Sequence, residues 1–499
     1  MEDKIVEEQI PQKAKSGGGA FIWKFLERFG VYFVQFIVSI ILARILGPEK
    51  YGFIAIVNVF IAFATVFVQN GMNSAIIQKK DLTSEEVSSV FYLNLILAGI
   101  LYLILFFLAP LIASFYNNAQ LTVVLRVLGL ILLPCSITSI QTALIEKKFS
   151  FKKLFFCSFT AVILSGTAGL ISAFMGLGVW ALVIQQIVYR TSVMLALLIV
   201  QKGLPKPYIS WEKAKPLMKF GWKILLAALI DVGYKNLREL IIGKKYGQED
   251  LALYDKGRRF PEMIVSNVNG SIQSVLLPKL SAKQDNKAEV KKIVKKVIKT
   301  SCFFIIPMMV GLSLVAQPMI DVLLGEEWKF CVPYLQWFCL AFAFWPLHTA
   351  NLQAITALGH SNKVLVLEII KKVMGIAIIF ATIWFNPLVM AAGYALSSLV
   401  SAIINAAPNK KLIDYSFFEQ IVDILPCLLC SAIMGVAVYA LGLLQLAPIW
   451  MLIIQVVAGV IIYAVLAILF KLEAMQIVLN FIKSIFKKKQ DKNIKEQQS

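Results

Sequence analysis

Apolar runs of about 20 residues recur from one end of this 499-residue chain to the other, each long enough to cross the ~30 Å hydrocarbon core of a bilayer. No other feature restricts the fold as much. Lipid offers no partner to backbone N–H and C=O groups, so a spanning segment must be a helix or part of a closed barrel. A barrel would alternate apolar and polar residues over strands of ~10 residues, and these runs do not. The bulk values agree: 59% of residues are hydrophobic and the mean hydropathy is +0.76. Residues 1–20 are polar and the first apolar run lacks a small-residue cleavage site, so no cleavable leader is expected.

The pattern predicts an all-α integral membrane protein of about 14 spans, at 21–46, 51–72, 88–115, 120–145, 153–175, 179–200, 217–242, 251–279, 297–323, 331–357, 363–384, 388–408, 419–441 and 449–470. Turn-forming pairs such as Gly47-Pro48, Asn117-Asn118, Asn386-Pro387 and Ala447-Pro448 separate them. Alternate loops then differ in charge. One set, which includes both termini, holds 32 lysines and the other holds 4. Positive charge stays cytoplasmic, so both termini are expected inside. The same asymmetry explains most of the formal net charge of +20. A nucleic-acid surface is the rival reading, but loops that share only a membrane side make a poor one, and no nucleic-acid partner is expected. No extramembrane segment exceeds roughly 30 residues, too short for a folded soluble catalytic domain.

Two lysine-rich segments read as interfacial helices on an anionic inner leaflet. In the first, Val290, Ile293, Val294, Val297 and Ile298 share one face opposite Lys291, Lys292, Lys295 and Lys296. In the second, Ile477, Phe481, Ile482, Ile485 and Phe486 do the same beside Lys483 and Lys487. Seven cysteines are scattered through apolar runs. Cys427 and Cys430 form a C-x-x-C inside one of them, with no further ligands nearby, and read as small core residues; no metal or cofactor is expected.

A weak echo at an offset of 200 residues relates Gly47-Pro48-Glu49-Lys50-Tyr51-Gly52 to Gly247-Gln248-Glu249-Asp250-Leu251-Ala252. Two pseudo-symmetric six-helix lobes of like orientation would produce it. The expected divisions are 1–204 for the first lobe, 205–413 for the second, 414–472 for two added helices and 473–499 for a cytoplasmic amphipathic basic tail.

Charge interrupts the apolar pattern along one stripe. Asp231, Lys235 and Arg238 follow i, i+4, i+7 spacing, and Asp255, Arg259, Glu262, Ser266, Asn269 and Gln273 continue at intervals of 3 or 4. Each set occupies one helix face. At ~1.5 Å per residue, Arg238 lies roughly 7–8 Å below the outer end of its span and Asp231 about 18 Å below it. Ionisable groups at that depth are costly and mark pathways. The first span has its own stripe, Lys24, Arg28, Tyr32, Gln35 and Ser39; the second has Asn58, Thr65, Gln69 and Asn73; later spans add His348, Asn351, Glu368, Lys371 and Lys372. Polar faces on the leading helices of both lobes suggest a shared cavity. The competing reading is internal ion pairing, strongest for Asp231–Lys235 and Asp255–Arg259. Arg28 has no neutralising partner one turn away and Arg258 has only Glu262, so spare positive charge favours an anionic ligand, and guanidinium groups match phosphate oxygens.

Motifs across almost the whole chain resemble those of bacterial Wzx-type polysaccharide flippases. They include Ala43-Arg44-Ile45-Leu46-Gly47-Pro48-x-x-Tyr51-Gly52, Asn70-Gly71-Met72-Asn73, Phe149-x-Phe151-Lys152, Gly176-x-Gly178-Val179-Trp180, Leu277-Pro278-x-Leu280-Ser281-x-x-Gln284, Gly325-x-x-Trp328 and Ala357-Leu358-Gly359. The resemblance implies the multidrug/oligosaccharidyl-lipid/polysaccharide exporter superfamily, two six-helix lobes plus two carboxyl-terminal helices, and alternating access in the bacterial cytoplasmic membrane. The cargo it implies is an undecaprenyl-pyrophosphate-linked oligosaccharide repeat unit for surface polysaccharide, with a polysaccharide polymerase and assembly proteins as further partners. Arg28, Lys235, Arg238, Arg258 and Arg259 would then neutralise the pyrophosphate, and Gln35, Asn73, Asn269 and Gln273 would meet sugar. Asp231, Glu239, Glu262 and Glu368 are candidates for proton or sodium linkage. Many relatives carry an acidic residue where span seven here reads Asn236-Leu237-Arg238-Glu239, so a cation-coupling site does not carry over directly. Two other functions fit a multi-span chain. A cation-coupled multidrug exporter of the same superfamily should have a net acidic lining, and this one is net basic. A membrane glycosyltransferase or polymerase should have an extended loop with paired carboxylates, and none is found.

Overall fold

The computed structural model describes residues 17–476 apart from 80, 149 and 445; the side chains of 17–29, 271, 274 and 275 also lie outside the description. The described residues form helices and turns with no strand. Gly47 (φ 71°) and Pro48 divide the first helical stretch, α1 (Gly17–Gln69). The glycine adopts a left-handed conformation closed to most side chains, and the proline is preorganised to start the next helix. The Tyr51 hydroxyl bridges the break by donating to the Ser39 carbonyl at 2.9 Å. Three further breaks fall inside expected spans, one of them at Val315, where span nine divides into α10 (Lys287–Leu314) and α11 (Ala316–Leu323). Span four is made of α4 (Gln120–Gly129) and α5 (Leu132–Lys147), and span ten of α12 (Val332–Ala343) and α13 (Trp345–Ala357).

The remaining helices are α2 (Met72–Gln78), α3 (Ser84–Phe115), α6 (Phe151–Phe174), α7 (Val179–Val200), α8 (Trp211–Lys245), α9 (Gln248–Ser281), α14 (Ser361–Thr382), α15 (Pro387–Leu412), α16 (Phe417–Gly442) and α17 (Pro448–Leu469). Helix starts carry the expected chemistry. Thr83 and Glu86 form a reciprocal capping box on α3, and Ser416 and Glu419 form another on α16, each satisfying backbone donors that the helix itself leaves open. Among the described residues, ten helical segments are long and apolar enough to span a bilayer by length and composition. The first, Gly30–Gln78, is 49 residues long, enough for two crossings at ~1.5 Å per residue. Helices α8, α9 and α14 are 35, 34 and 22 residues long but are not among the ten, and they are the helices that carry the acidic and basic residues of the polar stripe. Large apolar side chains point outward along many helices, with Phe174 75% and Trp384 77% exposed. Such a surface is stable only in lipid.

The chain packs as two compact units, Met1–Ala252 and Leu253–Ser499. The expected lobe division lies at 204/205, in the segment that precedes the next long helix. In the first unit the 201–210 segment is tied to α3: the Tyr92 hydroxyl donates to the Pro205 carbonyl at 2.9 Å, and Ser210 N–H donates to Ser89 Oγ at 3.0 Å. Helix α8 then approaches the start of α2 glycine to glycine. A Cβ on Gly221 would sit 2.7 Å from the Gly71 carbonyl carbon, so backbone meets backbone with no side chain between. The two echoing turns also meet, since a Cβ on Gly52 would lie 1.6 Å from the Gln248 carbonyl oxygen.

The second unit is built around Leu276, Leu280, Val290, Val294, Ile298, Cys302, Leu347, Ala350, Tyr415 and Ile424. This corrects the interfacial reading of 290–298. Val290, Val294 and Ile298 are fully buried, because α10 runs unbroken from Lys287 to Leu314 and turns that face onto α13 and α16. The lysines opposite remain outside, and Lys291 and Lys295, with Lys299 one turn beyond, bind the start of α16 and the residues after α17. Lys295 and Lys299 lie 2.8 and 3.6 Å from Asp423, Lys291 lies 3.3 Å from Glu419, and Lys299 lies 3.4 Å from Glu473. The segment 477–499, with the second expected amphipathic face, lies outside the described residues. Cys427 and Cys430 are buried free thiols, and Cys427 Sγ contacts the Tyr463 hydroxyl at 3.0 Å, as core residues would.

Candidate functional site

The polar stripe falls on two helices. In the first unit, Asp231 and Lys235 of α8 pair at 2.8 Å with both side chains open, Lys235 67% exposed. Arg238 and Glu239, one turn further on, are buried. The end of α8 is held to the end of α3: the Tyr116 hydroxyl donates to the Leu240 carbonyl at 3.2 Å, and Lys244 donates to the Phe115 carbonyl. Gln35 on α1 and Asn73 on α2 are half-buried in the same unit. The Asn73 amide oxygen is buried without a partner among the described residues. The side chain of Arg28 lies outside the described residues.

In the second unit, α9 gathers Asp255, Lys256, Arg258, Arg259 and Glu262 within two turns. Asp255 is buried and serves two arginines at once. Its Oδ2 lies 2.7 Å from Arg259 Nε, and its Oδ1 lies 3.3 Å from Arg258 Nη2. Arg258 also lies 3.6 Å from Glu262. Arg258 is therefore partnered by two carboxylates, one more than spacing alone indicated, because i, i+3 pairs meet on a helix as i, i+4 pairs do. Lys256 does not extend toward an outer surface. It is buried, with its ammonium 5.9 Å from the Trp328 ring centroid, within range of a cation–π attraction. Two of the three cations are thus fixed by the protein. The third, Arg259, is anchored through Nε while 58% of its side chain stays accessible.

Local sequence explains this arrangement. Pro261 removes one backbone donor from α9 and crowds the carbonyl four residues earlier, which belongs to Gly257. That glycine is also where α12 approaches most closely, since a Cβ there would lie 2.7 Å from Tyr334 Cβ. Lower on α9, Asn269 is buried and Gln273 is exposed. Glu368 of α14 pairs with Lys371 on its own helix at 2.5 Å, so the structure joins it to that lysine and not to the α9 cluster.

A second polar group in this unit was only half legible. Asn351 of α13 and Gln420 of α16 exchange amide hydrogen bonds at 2.8 and 3.0 Å. Asn409 of α15 donates to the same Asn351 oxygen at 2.7 Å. All three side chains are fully buried. One turn away, Asn405 donates to His348 Nδ1 at 3.1 Å, leaving Nε2–H to face Ser398 Oγ at 3.4 Å. His348 is thus a bridge between α13 and α15. The sequence singled out His348 and Asn351 but not Asn405, Asn409 or Gln420. A signal existed, an Asn repeated at i, i+4 in an otherwise apolar helix. Arg126 was also missed: it donates to the Phe106 carbonyl at 3.2 Å and covers the Phe106 ring at 4.0 Å.

What this geometry offers is a cluster of charge on one long helix, partly buried and partly accessible. Among the described residues no group of His, Cys, Asp and Glu is arranged to hold a metal ion.

Comparison with known proteins places this geometry. A family model described as "Polysaccharide biosynthesis protein" matches residues 41–333. The succinoglycan biosynthesis transport protein ExoT of Rhizobium meliloti is 24% identical over 314 residues, 63% of this chain and 63% of the relative. The chain thus spans just under two thirds of that relative's length. The teichuronic acid biosynthesis protein TuaB of Bacillus subtilis is 22% identical over 76% of this chain and 80% of its own length. The lipopolysaccharide biosynthesis protein WzxC of Escherichia coli is 24% identical over 60% of this chain and 61% of its own. Among solved structures, the lipid II flippase MurJ in an inward closed conformation superposes with a TM-score of 0.72 at 17% identity, covering 90% of this chain and 98% of that one. An inward-facing multidrug MATE transporter reaches 0.60 over 79% of this chain and 98% of its own. These likenesses show the fold alone. With its apolar helices and the family match over more than half its length, the chain is a multi-pass bacterial inner-membrane protein and belongs to the polysaccharide biosynthesis protein family.

Proposed function

We propose that this protein is a transporter that moves an undecaprenyl-pyrophosphate-linked oligosaccharide repeat unit from the inner to the outer leaflet by alternating access. The observation that carries the reading is the α9 cluster. Asp255 orients two arginines, and Arg259 keeps most of its side chain accessible. An accessible guanidinium held by a buried carboxylate suits a phosphate-bearing ligand in a low-dielectric site, and three cations against two carboxylates leave the cluster net positive. The names of the relatives, each tied to the biosynthesis of a surface polysaccharide, support a glycan cargo.

In this reading the chain crosses the membrane 14 times with both termini cytoplasmic. Arg28, Lys235, Arg238, Arg258 and Arg259 neutralise the pyrophosphate, and Gln35, Asn73, Asn269 and Gln273 meet sugar. Asp231, Glu239, Glu262 and Glu368 are the positions at which proton or sodium linkage is sought. Polymerase and assembly proteins receive the product. The test is flipping of a lipid-linked oligosaccharide in proteoliposomes. Neutralising Arg258 and Arg259 together should slow flipping at least tenfold. Wild-type transport by a protein neutral at all five cationic positions would remove the assignment.

A further inference from the structure

One basic hollow in the second unit lies apart from the polar stripe. The last turn of α9 and the first turns of α10 frame a cavity of about 310 Å³, lined by Lys279, Ala282, Lys283, Glu289, Lys292 and Ile293. The short connection between the two helices fixes its walls. Lys283 N–H donates to the Leu280 carbonyl and Asn286 N–H donates to the Lys283 carbonyl, each at 3.0 Å. The Asn286 side chain then caps α10 by accepting from Glu289 N–H at 3.2 Å. Leu280 and Val290, one on each helix, are fully buried in the same core.

Charge in this hollow is unbalanced. Lys283 pairs with Glu289 at 3.0 Å, which uses the one carboxylate of the lining. The Lys279 and Lys292 side chains form no ion pair and no hydrogen bond among the described residues. Lysines in the last turn of α9 complement the helix dipole, and lysines in this loop fit the sidedness of the chain. Neither role calls for Lys292 to line the same hollow from a second helix. The rest of the lining is apolar, made of Ala282, Ile293 and the lysine stems. Such stems cover apolar groups while their ammonium heads stay in a polar layer. Two unneutralised ammoniums beside an apolar lining match an amphiphile with an anionic head.

We propose that this hollow binds the phosphate headgroup of an anionic glycerophospholipid of the inner leaflet. Lys279 and Lys292 hold the phosphate between them, and Ala282 and Ile293 meet the glycerol and the start of the acyl chains. The choice of leaflet follows from the lysine asymmetry of the loops. This lipid is a resident of the membrane and not the cargo, so binding alone decides the site, whatever the chain transports. Its position is the far end of α9, the helix that carries Arg259 nearer its start.

The experiment uses the full chain in detergent micelles, titrated with phosphatidylglycerol or phosphatidylcholine, with glycerol 3-phosphate as a soluble competitor. Native mass spectrometry counts the bound molecules and gives their affinity. The wild type should hold phosphatidylglycerol about tenfold more tightly than phosphatidylcholine. Lys279→Gln/Lys292→Gln should lose that preference, and Lys279→Arg/Lys292→Arg should keep it. Lys287→Gln/Lys296→Gln removes the same charge from lysines outside the hollow and should also keep it. All four lysines are exposed, so these variants should fold as the parent does. Glu289→Gln, which frees Lys283, should tighten phosphatidylglycerol further. No preference in the wild type overturns the site. Equal loss in the two Gln pairs overturns it as well, because that result shows attraction to net charge without a built site. Displacement of the lipid by glycerol 3-phosphate at equal concentration overturns the phospholipid assignment in favour of a soluble phosphate.

Discussion

Asp255 shows how one side chain organises several others. It is buried, and its carboxylate is shared by Arg258 and Arg259. Removing one member of a buried ionic group leaves the others uncompensated and costs about 3–5 kcal/mol. Asp255→Asn should therefore lower the melting temperature and slow transport together, whereas Arg259→Gln, at the accessible end, should slow transport with little change in melting. Thermal unfolding in nanodiscs beside a flipping assay separates the two. Glycine gives a second residue-level prediction. A Cβ at Gly52 would lie 1.6 Å from a backbone oxygen, while one at Gly99 would meet nothing within 4 Å. Gly52→Ala should abolish accumulation in membranes, and Gly99→Ala should be neutral or gain the ~0.5–1 kcal/mol that alanine offers over glycine in a helix. The level of protein in the membrane fraction decides it.

At the scale of helices, the reading of apolar runs located the long helices but not the breaks within spans four, nine and ten, and faces depended on packing. The segment 290–298 has the amphipathic spacing of a surface helix, and that spacing is also what a helix half-buried against other helices requires. Nothing local distinguishes the two. Tertiary contact decided it, by burying Val290, Val294 and Ile298. The stripe on α8, α9 and α14 was legible because charge in an apolar run is rare. Its pairing was legible only where spacing is local, as for Asp231–Lys235 and Asp255–Arg259. The Lys256–Trp328 contact joins residues 72 positions apart, and the Asn351–Gln420 pair joins residues 69 apart, which no periodicity reveals. That second group locks α13, α15 and α16. Asn351→Leu should leave the Gln420 amide oxygen buried without its donor, at about 1–3 kcal/mol, while Asn409 keeps its bond to the backbone carbonyl of residue 351. A melting temperature unchanged from wild type would show that the Gln420 amide finds another partner.

For the whole molecule, the lysine asymmetry of 32 against 4 between alternate loops predicts sidedness that reporter fusions can check. Alkaline phosphatase fused after residue 247 should be active outside the cytoplasm, and the same reporter fused after residue 285 should be silent. The reverse result at either point would remove the 14-span topology. The sequence by itself determined the class of solvent, the helical fold, the loops and the resemblance to a family. Each of these follows from composition and short-range periodicity, and lipid leaves the backbone no alternative to helices. The tertiary structure alone decided which amphipathic face is core, which arginine is neutralised and which remains accessible. Those outcomes depend on distances between residues far apart in the chain, where a single buried carboxylate or a missing Cβ changes what a neighbouring helix can do.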